Sequence, residues 1–336
     1  MHYINISDLA DRDWRFLEPY NTSPELTWDM HYGRPRNMLE RRITRPALGR
    51  YRACLSAVRA ARQRKSAVLV SHLPNVTLAT AAMARVIAPN CPHIAFAFNY
   101  THLPTGRRLD LSRRHFKAVQ EFIVFSRYEV RLYAELFDLP PERFTFLPWA
   151  MEVPEVAKDQ PRPFERPYLC AIGGEGRDYR VLAEAMRMAP ELRLVIVARP
   201  ASVEGISFPD NVKIFTNLPA PVTWAIAKQS CGMAIALRSD RTPNGHVTMV
   251  GAQRLSVPLV VTRSVGVADY VDAQTALMVQ PQEAADMAQA LRETADDPVG
   301  ARERAARART NAERECDPRV WLRYFVDLDA RFKSLA

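Results

Sequence analysis

The chain has 336 residues, 48% of them hydrophobic, with a net charge of +9 and five cysteines. That length and apolar content allow two ordinary domains with buried cores and exclude a disordered chain. No apolar run reaches the ~20 residues that span a bilayer, Met1-His2-Tyr3-Ile4-Asn5 lacks the basic-then-apolar pattern of a signal peptide, and Cys54, Cys91, Cys170, Cys231 and Cys316 form no C-x-x-C pair. The cysteines thus suggest neither a disulfide framework nor a zinc site, and reduced cysteines in the cytoplasm are expected.

In chain order, the first distinctive segment runs from His31 to Lys65. It carries Arg34, Arg36, Arg41, Arg42, Arg45, Arg50, Arg52, Arg59, Arg62, Arg64 and Lys65 against Glu40 alone, enough to account for the whole positive excess. Such a face attracts anionic lipid headgroups, nucleic acid or acidic glycans, residues 34–65 being the candidate contact with an anionic membrane surface, or else is a solvated arginine-rich helix. Strands are then predicted at Ala67–Ser71, Ile94–Phe98, Phe122–Phe125 and Phe144–Leu147, with helices at Leu48–Lys65, Leu78–Ile87, Leu111–Val119 and Arg127–Leu136. Met151–Arg166 holds three prolines and no periodicity, as a connection between domains does. Strands resume at Tyr168–Ile172, Leu192–Val197, Val212–Phe215, Met233–Leu237, Leu259–Val261 and Leu277–Val279. Helices fall near Val181–Met188, Val222–Lys228 and His246–Leu255, more follow Gln282, and Arg319–Lys333 should pack down on its aromatic side.

Strands alternating with helices predict α/β architecture: two doubly wound, Rossmann-like parallel-sheet domains facing a cleft. The expected division is a first domain over 1–150, a linker over 151–166, a second domain over 167–316, and a C-terminal helix over 317–336 packing back on the domains.

Two stretches carry anion chemistry. Strand Tyr168–Ile172 runs into Gly173-Gly174-Glu175-Gly176-Arg177, where glycines let backbone approach a ligand and Arg177 can meet a phosphate. The next strand ends in Ala198-Arg199-Pro200, another cation at the same sheet edge. Farther on, Asn244-Gly245 opens a helix carrying Thr248, and a helix start gathers free N–H groups that hold a diphosphate without metal. G-x-G-x-x-G, G-x-S-x-G, a P-loop and H-E-x-x-H are absent. The two D-x-D triplets, Asp11-Arg12-Asp13 and Asp327-Leu328-Asp329, read as helix-surface charges, as do Glu129 and Glu184, so no metal-bridged diphosphate and no cofactor are expected.

These residues resemble a known family. G-G-E-G-R-D-Y-R-V-L-A-E-A-M from Gly173, L-R-L-V-I-V-A-R from Leu192, N-V-K-I-F-T-N from Asn211, N-G-H-V-T-M-V-G-A-Q-R-L-S-V-P-L-V-V-T from Asn244 and G-V-A-D-Y-V-D-A-Q-T-A-L-M-V from Gly266 are similar to the nucleotide-sugar domain of GT-B-fold glycosyltransferases. Family 4 and the enzymes of exopolysaccharide clusters are the nearest of these. The segment from Phe122 to Trp149 resembles their acceptor-domain exit, and the resemblance runs from about residue 66 to the C-terminus.

The resemblance implies roles. Gly173, Gly174 and Arg177 would approach the donor pyrophosphate, Arg199 would add charge, and Thr216-Asn217 would lie against the base. Asn244, Gly245, His246, Val247 and Thr248 would hold the distal phosphate and the sugar. Asn99, with His102 nearby, stands where these enzymes often keep a histidine at the reaction centre.

One position departs from the family: its ribose-binding glutamate aligns with Gly251. A mid-helix glycine costs about 1 kcal/mol against alanine, so something should need the room. His246 and Thr248 are expected to take over the polar contacts, with the ribose held through water or by Gln253.

The implied activity is metal-independent, retaining hexosyl transfer from a nucleotide-diphosphate sugar to a lipid-linked or polysaccharide acceptor, by a protein peripheral to the inner membrane. A GT-B-fold partner protein without catalysis is the alternative. A DNA glycosyltransferase is suggested by the basic segment alone, and a sugar-nucleotide epimerase would need acidic groups that Gly251 lacks.

Overall fold

The computed structural model describes residues 1–43, 46–174, 176–241 and 243–334. They form two compact units: Met1–Leu147 together with Pro318–Ala336, and Pro148–Asp317.

The first unit contains β1 (His2–Ser7), β2 (Thr27–Tyr32), α1 (Met38–Arg42), α2 (Leu48–Arg62), β3 (Ala67–His72), α3 (Pro74–Ile87), β4 (His93–Phe96), α4 (Gly106–Phe116), β5 (Glu121–Val124), α5 (Arg127–Phe137) and β6 (Phe144–Phe146). The second contains β7 (Leu169–Ile172), α6 (Tyr179–Met188), β8 (Leu194–Ala198), α7 (Pro200–Val203), β9 (Val212–Thr216), α8 (Ala220–Gln229), β10 (Met233–Ile235), α9 (His246–Arg254), β11 (Leu259–Thr262), β12 (Leu277–Val279), α10 (Ala284–Asp296) and α11 (Pro298–Glu315). The last helix, α12 (Pro318–Ser334), returns to the first unit.

Each unit is built on a six-stranded sheet, ordered β2-β1-β3-β4-β5-β6 in the first and β12-β11-β10-β7-β8-β9 in the second. All named pairings are parallel, so the strands are joined by crossovers, and the inner strands are buried on both faces while the edge strands β2 and β9 are partly exposed. The expected alternation is present, with β1 and β2 added to it. On β1, Ile4 and Ile6 join the core beneath α2 and α3. Tyr3 takes the other face, stacked on Trp28 and edge-on to Phe325, both with ring centroids 5.0 Å away. Strand β4 stops at Phe96, short of the predicted Phe98, because Ala97 turns to φ 51°.

Helix α12 buries Trp321, Tyr324, Phe325 and Leu328, and Tyr3 Oη donates to the Phe325 carbonyl at 3.0 Å. Asp329 is a correction to the sequence reading, since it is buried and pairs with the amino terminus at 3.0 Å. Residues 151–166 form neither helix nor strand and run along the second unit, where Met151, Val156 and Phe164 pack on its core and Lys213 Nζ donates to the Pro163 carbonyl at 2.6 Å.

The basic segment is less bare than its sequence. Arg34 pairs with Asp11, Arg50 with Asp8, Arg52 with Glu40 and Arg64 with Asp29, at 2.6–2.9 Å, three of the four acids lying outside the segment. Arg41, Arg42, Arg59, Arg62 and Lys65 remain exposed, and Arg45 lies outside the described residues. All five cysteines are free.

Candidate functional site

Counted from its own first strand, the second sheet has the order 3-2-1-4-5-6, so the direction of winding reverses between β7 and β10. Open α/β sheets bind ligands beyond the carboxyl ends of the strands at that reversal. There the two anion-suited stretches meet. Residues Gly173–Asp178 leave β7 and are tied to the chain leaving β10: Asp178 N donates to the Ala236 carbonyl at 2.9 Å, Arg238 N to the Gly176 carbonyl at 3.0 Å, and Arg177 bridges Leu237. Glu175, within that turn, lies outside the described residues.

Arg177 joins the two stretches. Its guanidinium is buried, with Nε donating to the Ile172 carbonyl at 3.2 Å and Nη2 to Thr248 Oγ1 at 3.0 Å. Desolvation pulls its pKa down from the usual arginine value, yet an arginine that starts so high keeps its charge. Gly173 has φ +126°, and a Cβ there would lie 2.9 Å from Arg177 Nη2, so only glycine lets the backbone lie against the cation. A Cβ on Gly176 would meet Asn244 at 2.6 Å, which packs one turn against the other.

Gly245, at φ +100°, is the N-cap of α9. The first intrahelical bond is Met249 N to the Gly245 carbonyl, leaving the N–H groups of His246, Val247 and Thr248 without helical acceptors beside a buried cation. Val247 has an exposed side chain, so its contribution is its backbone. At the neighbouring strand ends, the Arg199 stem and Ser202 lie against Gly174, and exposed Asn217 takes a left-handed turn with its N–H on the Ala198 carbonyl. Register pairs Ala198 with Thr216.

The ribose expectation changes. Gly251 is buried against Trp224, and a Cβ there would lie 2.7 Å from the indole Cζ2. The room left by the missing side chain is filled by this ring from α8. Gln253 is buried and donates to the Tyr270 carbonyl at 2.8 Å, so its amide is engaged inside the protein and does not reach out to a ribose. His246 Nε2 donates to the Gly266 carbonyl at 2.8 Å beneath Tyr270, and burial pulls its pKa to about 4. Its side chain is therefore neutral and turned into the fold.

In the first unit, Asn99 stands just past the carboxyl end of β4, and its Nδ2 donates to Glu129 Oε1 at 2.9 Å. Glu129 corrects the sequence reading: it is fully buried, whereas Glu184 is exposed and paired with Arg187. The signal for Glu129 was available in Ser126-Arg127-Tyr128-Glu129, a capping-box spacing at the start of α5. His102 is exposed in the following loop and takes no part in the described Asn99–Glu129 contacts.

Fold and site together define a two-domain Rossmann-like protein of the GT-B type, with two anion-suited turns meeting at the switch point of its second sheet. Neither a family model nor a curated protein matches the sequence. Solved structures match in fold: HepE of Anabaena in complex with UDP-glucose has a TM-score of 0.75 and 10% identity over 98% of this chain and 100% of that one. Sucrose-phosphate synthase from Thermosynechococcus elongatus has a TM-score of 0.73 and 14% identity over 100% of both chains. A glycosyltransferase from Rickettsia africae has a TM-score of 0.69 and 9% identity over 97% of both.

Proposed function

We propose that this chain is a glycosyltransferase that moves a hexosyl group from a nucleotide-diphosphate sugar to a lipid-linked or polysaccharide acceptor, with retention and without a metal. The observation that carries the reading is Arg177, which joins the Ile172 carbonyl at the end of β7 to Thr248 in the first turn of α9. As the sugar leaves, charge grows on the diphosphate. A fixed guanidinium and helix-start N–H groups meet that charge without having to reorganise. HepE of Anabaena, similar in fold, is in complex with UDP, with UDP-glucose, and with UDP and glucose, and this favours a uridine donor. The first unit would receive the acceptor near Asn99. The exposed cations Arg41, Arg42, Arg59, Arg62 and Lys65 would hold the protein to an anionic membrane of the cytoplasmic side, within reach of a lipid-linked acceptor of exopolysaccharide synthesis.

The test is titration with a panel of nucleotide sugars, reading both binding and release of the nucleoside diphosphate. UDP-glucose should bind and release UDP; a panel with neither binding nor release overturns the proposal. Trp224 against Gly251 favours one second reading, a nucleotide-binding partner protein without turnover. Binding of UDP without release from any sugar would select it.

A further inference from the structure

The Glu129 carboxylate is buried without a cation among its described contacts, and four donors converge on it. Phe125 N and Ser126 Oγ reach Oε2 at 3.1 Å, while Tyr133 Oη and Asn99 Nδ2 reach Oε1 at 2.9 Å. A carboxylate has about four acceptor sites, so all are occupied. Tyr133 Oη in turn accepts from Tyr100 N at 2.9 Å, and the loop after β4 is thus fastened to α5 at two consecutive residues. That loop begins at Ala97, with φ 51°, a conformation that needs such holding. Because a carboxylate can only accept, the Asn99 amide cannot flip, and its Oδ1 is turned away from Glu129.

We infer that Glu129 is a positioning residue: it fixes the orientation of the Asn99 amide at the carboxyl edge of the first sheet, where the acceptor would bind, and the hold weakens when Glu129 takes up a proton. The inference rests on the transferase reading for its purpose, though not for its geometry. The hold weakens because charge-assisted hydrogen bonds are roughly twice as strong as neutral ones. Besides the four donors, the titratable neighbours are Tyr133 and Tyr100, both pushed up by burial, Tyr100 to about 12, and neither is charged near neutrality. Burial, opposed by the four donors, pushes the Glu129 carboxyl up to about 7.

The full chain, labelled with 15N, would be titrated from pH 5.5 to 8.5 while the Asn99 side-chain amide signals are followed, in the wild type and in Glu129→Gln. In parallel, UDP release from UDP-glucose with water as the acceptor would be measured. The amide signals should move in one step in the wild type and stay still in Glu129→Gln. The wild-type rate should exceed the variant's by on the order of 10- to 100-fold above that step and approach it below. A structural role alone gives a ratio that does not change with pH. That ratio, or wild-type amide signals that do not titrate, overturns the inference. Should Glu129→Gln not fold, Tyr133→Phe removes one donor and must raise the midpoint; an unmoved midpoint also overturns it. If UDP-glucose is neither bound nor hydrolysed, the transferase reading fails, and the amide titration alone decides whether Glu129 holds Asn99.

Discussion

The two sheets have the same width and the same parallel pairing, but they bury opposite charges at their carboxyl edges. In the second unit a guanidinium, Arg177, sits between two glycine turns and donates to a carbonyl and a hydroxyl. In the first a carboxylate, Glu129, accepts from four donors behind Asn99. The strand orders differ too, 3-2-1-4-5-6 against 2-1-3-4-5-6, so one doubly wound design has been fitted to two chemistries. A cation at the edge suits a ligand whose leaving group is a diphosphate. A buried anion one side chain back suits a ligand that offers hydroxyls.

The largest effect should come from Arg177→Ala. Hydrogen bonds to charged groups are worth ~1.5–3 kcal/mol, so UDP affinity should fall by about 100-fold in calorimetric titration. Arg177→Lys, which restores the charge without the fork, should recover only part. Glu129→Gln should leave UDP affinity unchanged. Equal losses from the Arg177 and Glu129 variants would break the contrast between the two edges.

Restoring an acid with Gly251→Glu should destabilise the second unit by about 1–3 kcal/mol in chemical denaturation, since the new side chain must displace Trp224. Adding Trp224→Ala should recover part of that stability. A stable Gly251→Glu protein with tighter UDP binding would show that the indole yields easily.

Acid separates the units next. His72 and His93 in the first unit are held by burial at about 3, and His246 in the second at about 4, below the ordinary histidine value of 6.5. Their unfolded forms bind protons first, so their contribution to stability is complete above pH 6.5 and is lost as pH falls. Glu129, raised from 4.5 to about 7, acts in the opposite sense: the folded form binds the extra proton, and stability rises as pH falls through that window. Glu129→Gln should therefore make the first unit's thermal transition fall more steeply between pH 7 and pH 5. A shallower fall would reverse the sign argued here.

The smallest effect concerns the membrane. Replacing Arg59, Arg62 or Lys65 by glutamine should weaken binding to phosphatidylserine vesicles by about fivefold each, at roughly 1 kcal/mol per cation, and leave UDP affinity alone.

Much of this was readable from residues, for physical reasons that differ by region. The apolar runs that became β7, β8, β10 and β11 announce themselves because parallel strands are buried on both faces. β2 did not, because Thr27–Tyr32 is an edge strand, half exposed and carrying Asp29 and His31. β1 escaped because Asn5 and Ser7 interrupt its apolar pattern, and its sheet neighbours are distant in sequence. The glycine turns and Arg177 could be picked out by composition, whereas their meeting through Thr248 could not, since Nη2 and Oγ1 belong to residues in different crossovers. Gly251 shows the limit most plainly: the sequence signals that room is needed but not that Trp224 fills it.

The return of α12 to the first unit has a consequence for how the protein is made. Tyr3 meets Phe325, and Trp28 and Phe96 pack on the same ring, so one face of β1, β2 and β4 has only part of its cover, from Phe16, until α12 has left the ribosome. Pro148–Asp317, an uninterrupted block, has all of its strands beforehand. The second unit is thus free to fold during synthesis while the first waits, its early strands a ready target for chaperones until α12 closes over them.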